Sequence, residues 1–121
     1  MIKLVFCCRR KAGMTREAFQ ARWLDVHGPL VRKLRKELPM MKRYVQSHTL
    51  GGPANDGLRA SRGTKEAYDG ITEVWFDSLE AMGGGSGEAA RAAGQRLLED
   101  EVEFIDFSDS AVFVTEEKEI F

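Results

Sequence analysis

Pro29 falls in the middle of a helical pattern, and no other placement in this chain constrains the fold as tightly. From Thr15 to Glu37, the residues Phe19, Trp23, Leu30 and Leu34 recur at helical spacing, with Val26 and His27 filling the step between Trp23 and Leu30. An apolar stripe of that kind must be buried against another layer. Pro29 has no N–H for the carbonyl of Asp25 and disfavours helical geometry at Gly28, so Asp25-Val26-His27-Gly28-Pro29 predicts a kink or a restart. A titratable imidazole, His27, therefore stands at a helix break on the inward face.

The flanking segments supply the layer. Thr15 is a good N-cap with Glu17 in the first turn, and Pro39 ends the helix. Arg32, Lys33, Arg35 and Lys36 read as a solvated face near the helix C-terminus rather than an anion site. Ahead of the helix, Ile2 to Cys8 is a β-branched and aromatic run closed by Arg9-Arg10-Lys11 and Gly13, which predicts a buried strand and a loop. After it, Met41 to Leu50 alternates: Lys42, Tyr44, Gln46 and His48 share one face, and Met41, Arg43, Val45, Ser47 and Thr49 the other. The row Tyr44, Gln46, His48 suits a polar cavity better than a dry helix layer.

Gly51-Gly52-Pro53 opens a connection running to about Asp69, without sustained period, of the kind that forms lids or binding loops. Ile71 to Phe76 is a strand with Ile71, Glu73 and Trp75 on one face. Asp77-Ser78-Leu79-Glu80 has the form of a capping box, with Asp77 as N-cap and a second helix beginning at Ser78. Gly83-Gly84-Gly85-Ser86-Gly87 cuts that helix, which resumes at Glu88 and runs through Leu97 and Leu98. Asp106 to Asp109 is a turn, Ser110 to Thr115 the last strand, and Glu116 to Phe121 a charged tail.

Two strand-helix-strand halves with right-handed crossovers give an α+β, ferredoxin-like βαββαβ fold, with a four-stranded antiparallel sheet and both helices on one face. The other face, carrying Val5, Tyr44, Trp75 and Phe113, would be left uncovered, and a symmetric homodimer with sheets facing is the expected remedy. The 121 residues, 43% of them hydrophobic, suit a single domain over 1–121. With 18 Lys and Arg against 19 Asp and Glu, the net charge of -1 provides no field for nucleic acid. Cys7 and Cys8, the only cysteines, point to opposite faces of one strand and are poorly placed to bridge each other, which favours a reduced, cytoplasmic setting and offers no zinc spacing. The N-terminal run is too short and too soon charged for a signal peptide or a membrane span.

Lys3-Leu4-Val5-Phe6, Arg9-Arg10-Lys11, Thr15-Arg16-Glu17-Ala18-Phe19, Trp23 and above all His27-Gly28-Pro29-Leu30-Val31, followed by Tyr44, Gln46, His48 and a Glu101, Phe104, Ile105, Asp106 ending, resemble the EthD-domain family of the dimeric α/β-barrel superfamily. The resemblance spans nearly the whole chain, and it implies the ferredoxin-like fold and the face-to-face dimer. It also implies a setting in small-molecule catabolism. EthD is associated with oxidative ether degradation beside a cytochrome monooxygenase system, and similar barrels include lactone isomerases, polyketide cyclases and cofactor-free monooxygenases.

The candidate chemistry follows from the residues. His27 is suited to acid–base work near neutral pH, or else hydrogen-bonds backbone freed by Pro29. His48 is its candidate partner, with Tyr44 and Gln46 orienting substrate, or else an edge histidine. Glu73 is a candidate carboxylate base beside Trp75, or pairs with Arg43 or Lys42 across the sheet. Trp23 and Trp75 could stack a flat substrate or simply build the core. Asp25 could orient His27 or cap the restarted helix. Two histidines without a third ligand favour no metal, and Gly83 to Gly87, which follows no strand, is no phosphate loop, so no cofactor is expected. The expected function is proton transfer, by His27 and His48, on a hydrophobic carbonyl, lactone or aromatic compound. The alternatives are an EthD-like oxidoreductase accessory protein and a non-catalytic binder of a hydrophobic metabolite.

Overall fold

Four strands, β1 (Ile2–Cys8), β2 (Arg43–His48), β3 (Gly70–Phe76) and β4 (Ala111–Glu116), form one sheet in the order β2-β3-β1-β4, every pair antiparallel. The computed structural model describes residues 1–83 and 87–121. Register decides what each face carries, because a slip of one residue would exchange the faces. Val74 pairs with Leu4 and Tyr44, and Glu73 with Val5 and Val45. Gly70, Thr72, Val74 and Phe76 are buried beneath the helices, so Tyr44, Gln46 and His48 lie on that covered side with them. The expectation that Tyr44 sits on the open face is therefore corrected. Val5, Trp75 and Phe113 do lie there, and Phe113 is 48% exposed.

The helical layer begins with α1 (Arg16–Arg22), where the Thr15 hydroxyl accepts from the Ala18 N–H at 3.0 Å. At Pro29 the regular helix is interrupted without leaving helical backbone geometry. Trp23–His27 forms a π-helical turn, and α2 (Gly28–Leu34) follows with helical dihedrals maintained at His27 and Gly28. The physical reason is the missing donor at Pro29: widening the turn lets the Gly28 N–H reach the Trp23 carbonyl. A 3-10 turn, Arg35–Glu37, ends the segment. The stripe buries Phe19 and Trp23 against Cys8, Phe104 and Ile105, whereas Val26 stays exposed.

Trp23 packs onto bare backbone at Gly70. A Cβ there would stand 2.3 Å from Trp23 Cζ3, so Gly70→Ala must displace a fully buried indole. Overpacking of this kind costs roughly 1–3 kcal/mol, to be read as a lower denaturant midpoint at unchanged slope. Beside it, Asp69 is fully buried and accepts from the Arg10 N–H at 2.8 Å, from Arg10 Nη1 at 2.5 Å and from Arg16 Nε at 3.1 Å. Burial pushes this carboxyl up, but those bonds outweigh it and hold it below its ordinary value. The start of β3 is thereby fastened to the start of α1.

The connection from Gly51 to Asp69 is not without structure, as its composition suggested, but contains α3 (Pro53–Arg62). Pro53 opens it and Gly63, left-handed at φ 62°, closes it. None of its residues is buried, so no apolar stripe marked it. Farther on, Ser78 rather than Asp77 caps α4 (Leu79–Gly83), its hydroxyl accepting from the Ala81 N–H at 3.0 Å. Of the predicted break at Gly83 to Gly87, residues 84–86 lie outside the described residues. α5 (Glu88–Glu101) and a 3-10 turn, Phe107–Asp109, lead into β4. No helix among the described residues is long and apolar enough to cross a membrane.

Candidate functional site

A cavity of about 800 Å³ opens between α2 and β2. Leu24, Pro29, Val31 and Met41 give it apolar walls, and Tyr44, Gln46 and His48 form its floor. The floor is built by two local devices already described. β-strand alternation aims three successive polar side chains at the helices, and the π-helical turn presents the Trp23 carbonyl to them.

The hydrogen bonds of the floor fix its protonation. Gln46 Nε2 donates to the Trp23 carbonyl at 3.0 Å, which can only accept, so Gln46 Oε1 is the atom facing His48. His48 Nε2 therefore carries the hydrogen and donates to that oxygen at 2.9 Å, leaving its Nδ1 with a free lone pair. The imidazole stacks on Trp23, centroids 4.6 Å apart and planes at 24°, and burial lowers its pKa, so it is neutral at neutral pH. Gln46 Nε2 also donates to Tyr44 Oη at 3.3 Å. Burial pushes the Tyr44 phenol up against hydrogen bonds from Gln46, Trp23 and Thr72, so the hydroxyl keeps its proton. His48 holds an imidazole lone pair and Tyr44 a protonated hydroxyl, with Gln46 between them.

His27 is placed elsewhere. It is 3% exposed, tilts against Phe104, and is not part of the cavity wall. Its Nδ1–H donates to Asp100 Oδ2 at 2.8 Å, and Asp100 also meets the Arg22 guanidinium. Burial lowers the His27 pKa more than Asp100 raises it, while Asp100, pushed up by burial, is drawn lower still by bonds from His27 and Arg22. Together these directions describe a neutral imidazole donating to an ionised carboxylate. Its other nitrogen, Nε2, lies 3.7 Å from Glu101 Oε2. Burial, and the charge of Asp100 beside it, push the Glu101 carboxyl up to about 7. Asp25, a candidate to orient His27, is exposed, and Asp100 takes that part instead.

The remaining candidates separate by sheet face. Trp23 is fully buried in the core, where it supports His48. Glu73 and Trp75 lie on the open face, away from the cavity. Glu73 pairs with Lys3 at 2.7 Å rather than with Arg43 or Lys42, because Val5 stands opposite it and the long Lys3 side chain reaches diagonally. Cys8 is buried and its thiol is pushed up to about 12, which makes it inert. Among the described residues, no group of three His, Cys, Asp or Glu side chains is arranged to hold a metal ion. Asp100 was not singled out in the sequence, and Glu101 only in the ending that carries the family resemblance, without a role at the site.

The model of the EthD domain matches residues 11–108. This chain belongs to the EthD domain family. Among solved structures it is similar to an ethyl tert-butyl ether D (EthD) family protein from Bacillus halodurans, at 18% identity and a TM-score of 0.64, covering 98% of this chain and 99% of the other. An EthD-like protein from Ralstonia eutropha shares 20% identity at a TM-score of 0.61, covering 95% and 89%. A dimeric protein of unknown function and ferredoxin-like fold from Bacteroides fragilis shares 11% identity at 0.60, covering 96% and 95%. No curated protein matches the chain. At these identities the EthD neighbours show the fold of the chain.

Proposed function

We propose that this EthD-domain protein catalyses proton transfer on a hydrophobic carbonyl, lactone or aromatic compound, without an organic cofactor, in the cavity between α2 and β2. The observation that carries the proposal is the floor itself: a free imidazole lone pair and a protonated phenol on either side of Gln46, under apolar walls. In this reading His48 Nδ1 removes a proton next to the carbonyl, and the Tyr44 hydroxyl donates to the oxygen on which negative charge develops. Gln46 holds both partners in place. His27 acts behind the cavity, with Glu101, whose charge bears on the Tyr44 phenol. Trp23 steadies the His48 ring.

Exchange of the protons next to the carbonyl for deuterium, followed by NMR over a panel of hydrophobic ketones and lactones, tests this directly. The protein should accelerate exchange for at least one member, with His48→Ala lowering that rate roughly a hundredfold and Tyr44→Phe also slowing it. Binding should survive in both variants. Ligands that bind without exchange in the unaltered protein would instead identify a non-catalytic binder.

We also propose that the open sheet face is covered by a second copy of the chain. Phe113 is half-exposed beside Val5, and the Bacteroides fragilis neighbour is described as dimeric. Light scattering should give twice the chain mass, and Phe113→Glu should give the chain mass alone. A monomer at micromolar concentration before any substitution would refute the face-to-face arrangement.

A further inference from the structure

The rim of the same cavity carries charge of one sign. Arg32, Arg35, Lys42 and Arg43 line it, and no carboxylate does. Two of these cations are engaged: Lys42 stands 3.9 Å from Asp77, and the Arg43 guanidinium lies over Trp75 at 4.8 Å, which draws its charge to the open face of the sheet. Arg32 and Arg35 meet no acidic side chain within ion-pair distance among the described residues. They stand three residues apart, one turn of helix, and so project from the same side.

Arg32 and Arg35, which the sequence places on a solvated face with Lys33 and Lys36, line this cavity and also the one adjoining it, which Lys33, Lys36 and Lys42 line with them. A guanidinium is a planar fork that binds a carboxylate or sulfonate through two parallel hydrogen bonds. Beneath this rim the walls are apolar and the volume is that of a small-molecule site.

From this geometry we infer that the ligand is an amphipathic organic anion: an apolar, ring-sized body against Leu24, Pro29, Val31 and Met41, with a carboxylate or similar acid group held by Arg32 and Arg35. The inference rests on the cavity being the functional site and narrows the class of compound it takes. It also places the acid group at the mouth and the apolar body over His48 and Tyr44.

Two dyes that share a ring system but differ in charge test it. Anilinonaphthalene sulfonate carries one negative charge, and N-phenylnaphthylamine carries none. Titrated into the unaltered protein, the sulfonate should bind at least tenfold more tightly than the neutral dye. In the doubly substituted Arg32→Ala/Arg35→Ala protein the sulfonate should lose about tenfold in affinity while the neutral dye is unchanged; both side chains are exposed, so the fold is retained. Arg59→Ala/Arg62→Ala, on α3, makes the same change in net charge away from the cavity and should leave both affinities as they were. Equal affinity for the two dyes overturns the inference, as does an unchanged sulfonate affinity after loss of Arg32 and Arg35. An equal fall in the α3 variant overturns it too, since the attraction would then be the diffuse charge of the whole molecule. The readout is binding alone, so a failure of His48 as a base leaves it untouched, and a failure of the rim leaves the exchange assay untouched.

Discussion

Asp100→Ala is expected to destabilise the protein by about 1–3 kcal/mol, the cost of leaving a buried hydrogen-bond donor without its acceptor. The carboxylate holds two groups at once, the His27 Nδ1–H and the Arg22 guanidinium. Arg22 is 30% exposed and can turn to water, but His27 is enclosed and cannot, so most of the loss comes from the orphaned imidazole. His27→Ala/Asp100→Ala should therefore cost less than the sum of the two single substitutions. The pH dependence has a definite sign. Asp100 is held below its ordinary value, so its stabilisation is complete above about pH 4 and is lost as the pH falls through its folded pKa. His27 is also held below its ordinary value, so under about pH 6.5 the unfolded chain takes up a proton that the folded chain refuses. Both effects make acid destabilising, and Asp100→Ala should flatten the part below about pH 4. A loss under about 1 kcal/mol in denaturant unfolding would mean that the cluster supports nothing beyond an ordinary hydrogen bond.

The elements that could be read from sequence are those whose periodicity is local. All four strands, the helix capped by Thr15 and the ferredoxin-like order follow from alternation, helical spacing and turn residues, and the fold agrees with them. What could not be read depends on partners distant in the chain. Pro29 removes a hydrogen bond in any context, but whether the helix then kinks or widens depends on where the Trp23 carbonyl finds donors, and one of them is Gln46. Alternation grouped Tyr44 with Gln46 and His48, yet which side of the sheet they occupy is set by pairing with β3. The same register gave Glu73 to Lys3. α3 buries nothing, so only its Pro53 and Gly63 marked it. Asp100 stands in the run Glu99-Asp100-Glu101, and nothing in those three letters says which acid turns inward.

That last ambiguity matters for the site, because two of the three acids face His27 and do opposite things. Asp100 is charged and accepts; Glu101 is held neutral until about pH 7. A neutral imidazole whose Nδ1–H is committed to Asp100 presents a lone pair at Nε2, and a protonated Glu101 is the complementary group to face it across 3.7 Å. The carboxyl also bears on the Tyr44 phenol, so its ionisation connects the interior to the floor of the cavity. Below neutrality Tyr44 has a neutral neighbour there. Above it, the neighbour is an anion that disfavours loss of the phenol proton.

Glu101→Gln is accordingly expected to stabilise the protein at pH 8 by about 2–3 kcal/mol and to leave its stability near pH 4.5 almost unchanged. An ordinary glutamate ionises near 4.5, and in the folded protein Glu101 does so only at about 7. Between those values the unfolded chain gives up a proton that the folded chain keeps, so this residue lowers stability steadily as the pH rises, and beyond about 7 the full cost of a buried charge beside Asp100 remains. Glutamine keeps the shape, offers N–H donors toward His27 Nε2, and never ionises. Its advantage should therefore grow from pH 4.5 to pH 7 and then level off, and the difference between the two proteins isolates Glu101 from the acid limb contributed by His27 and Asp100. Chemical unfolding of both proteins at half-unit intervals measures that curve. A difference that is constant with pH would mean that Glu101 ionises as freely in the folded protein as in the unfolded chain. His27 Nε2 would then face a carboxylate at every pH above 5, and the neutral pairing of Glu101 with His27 would be wrong.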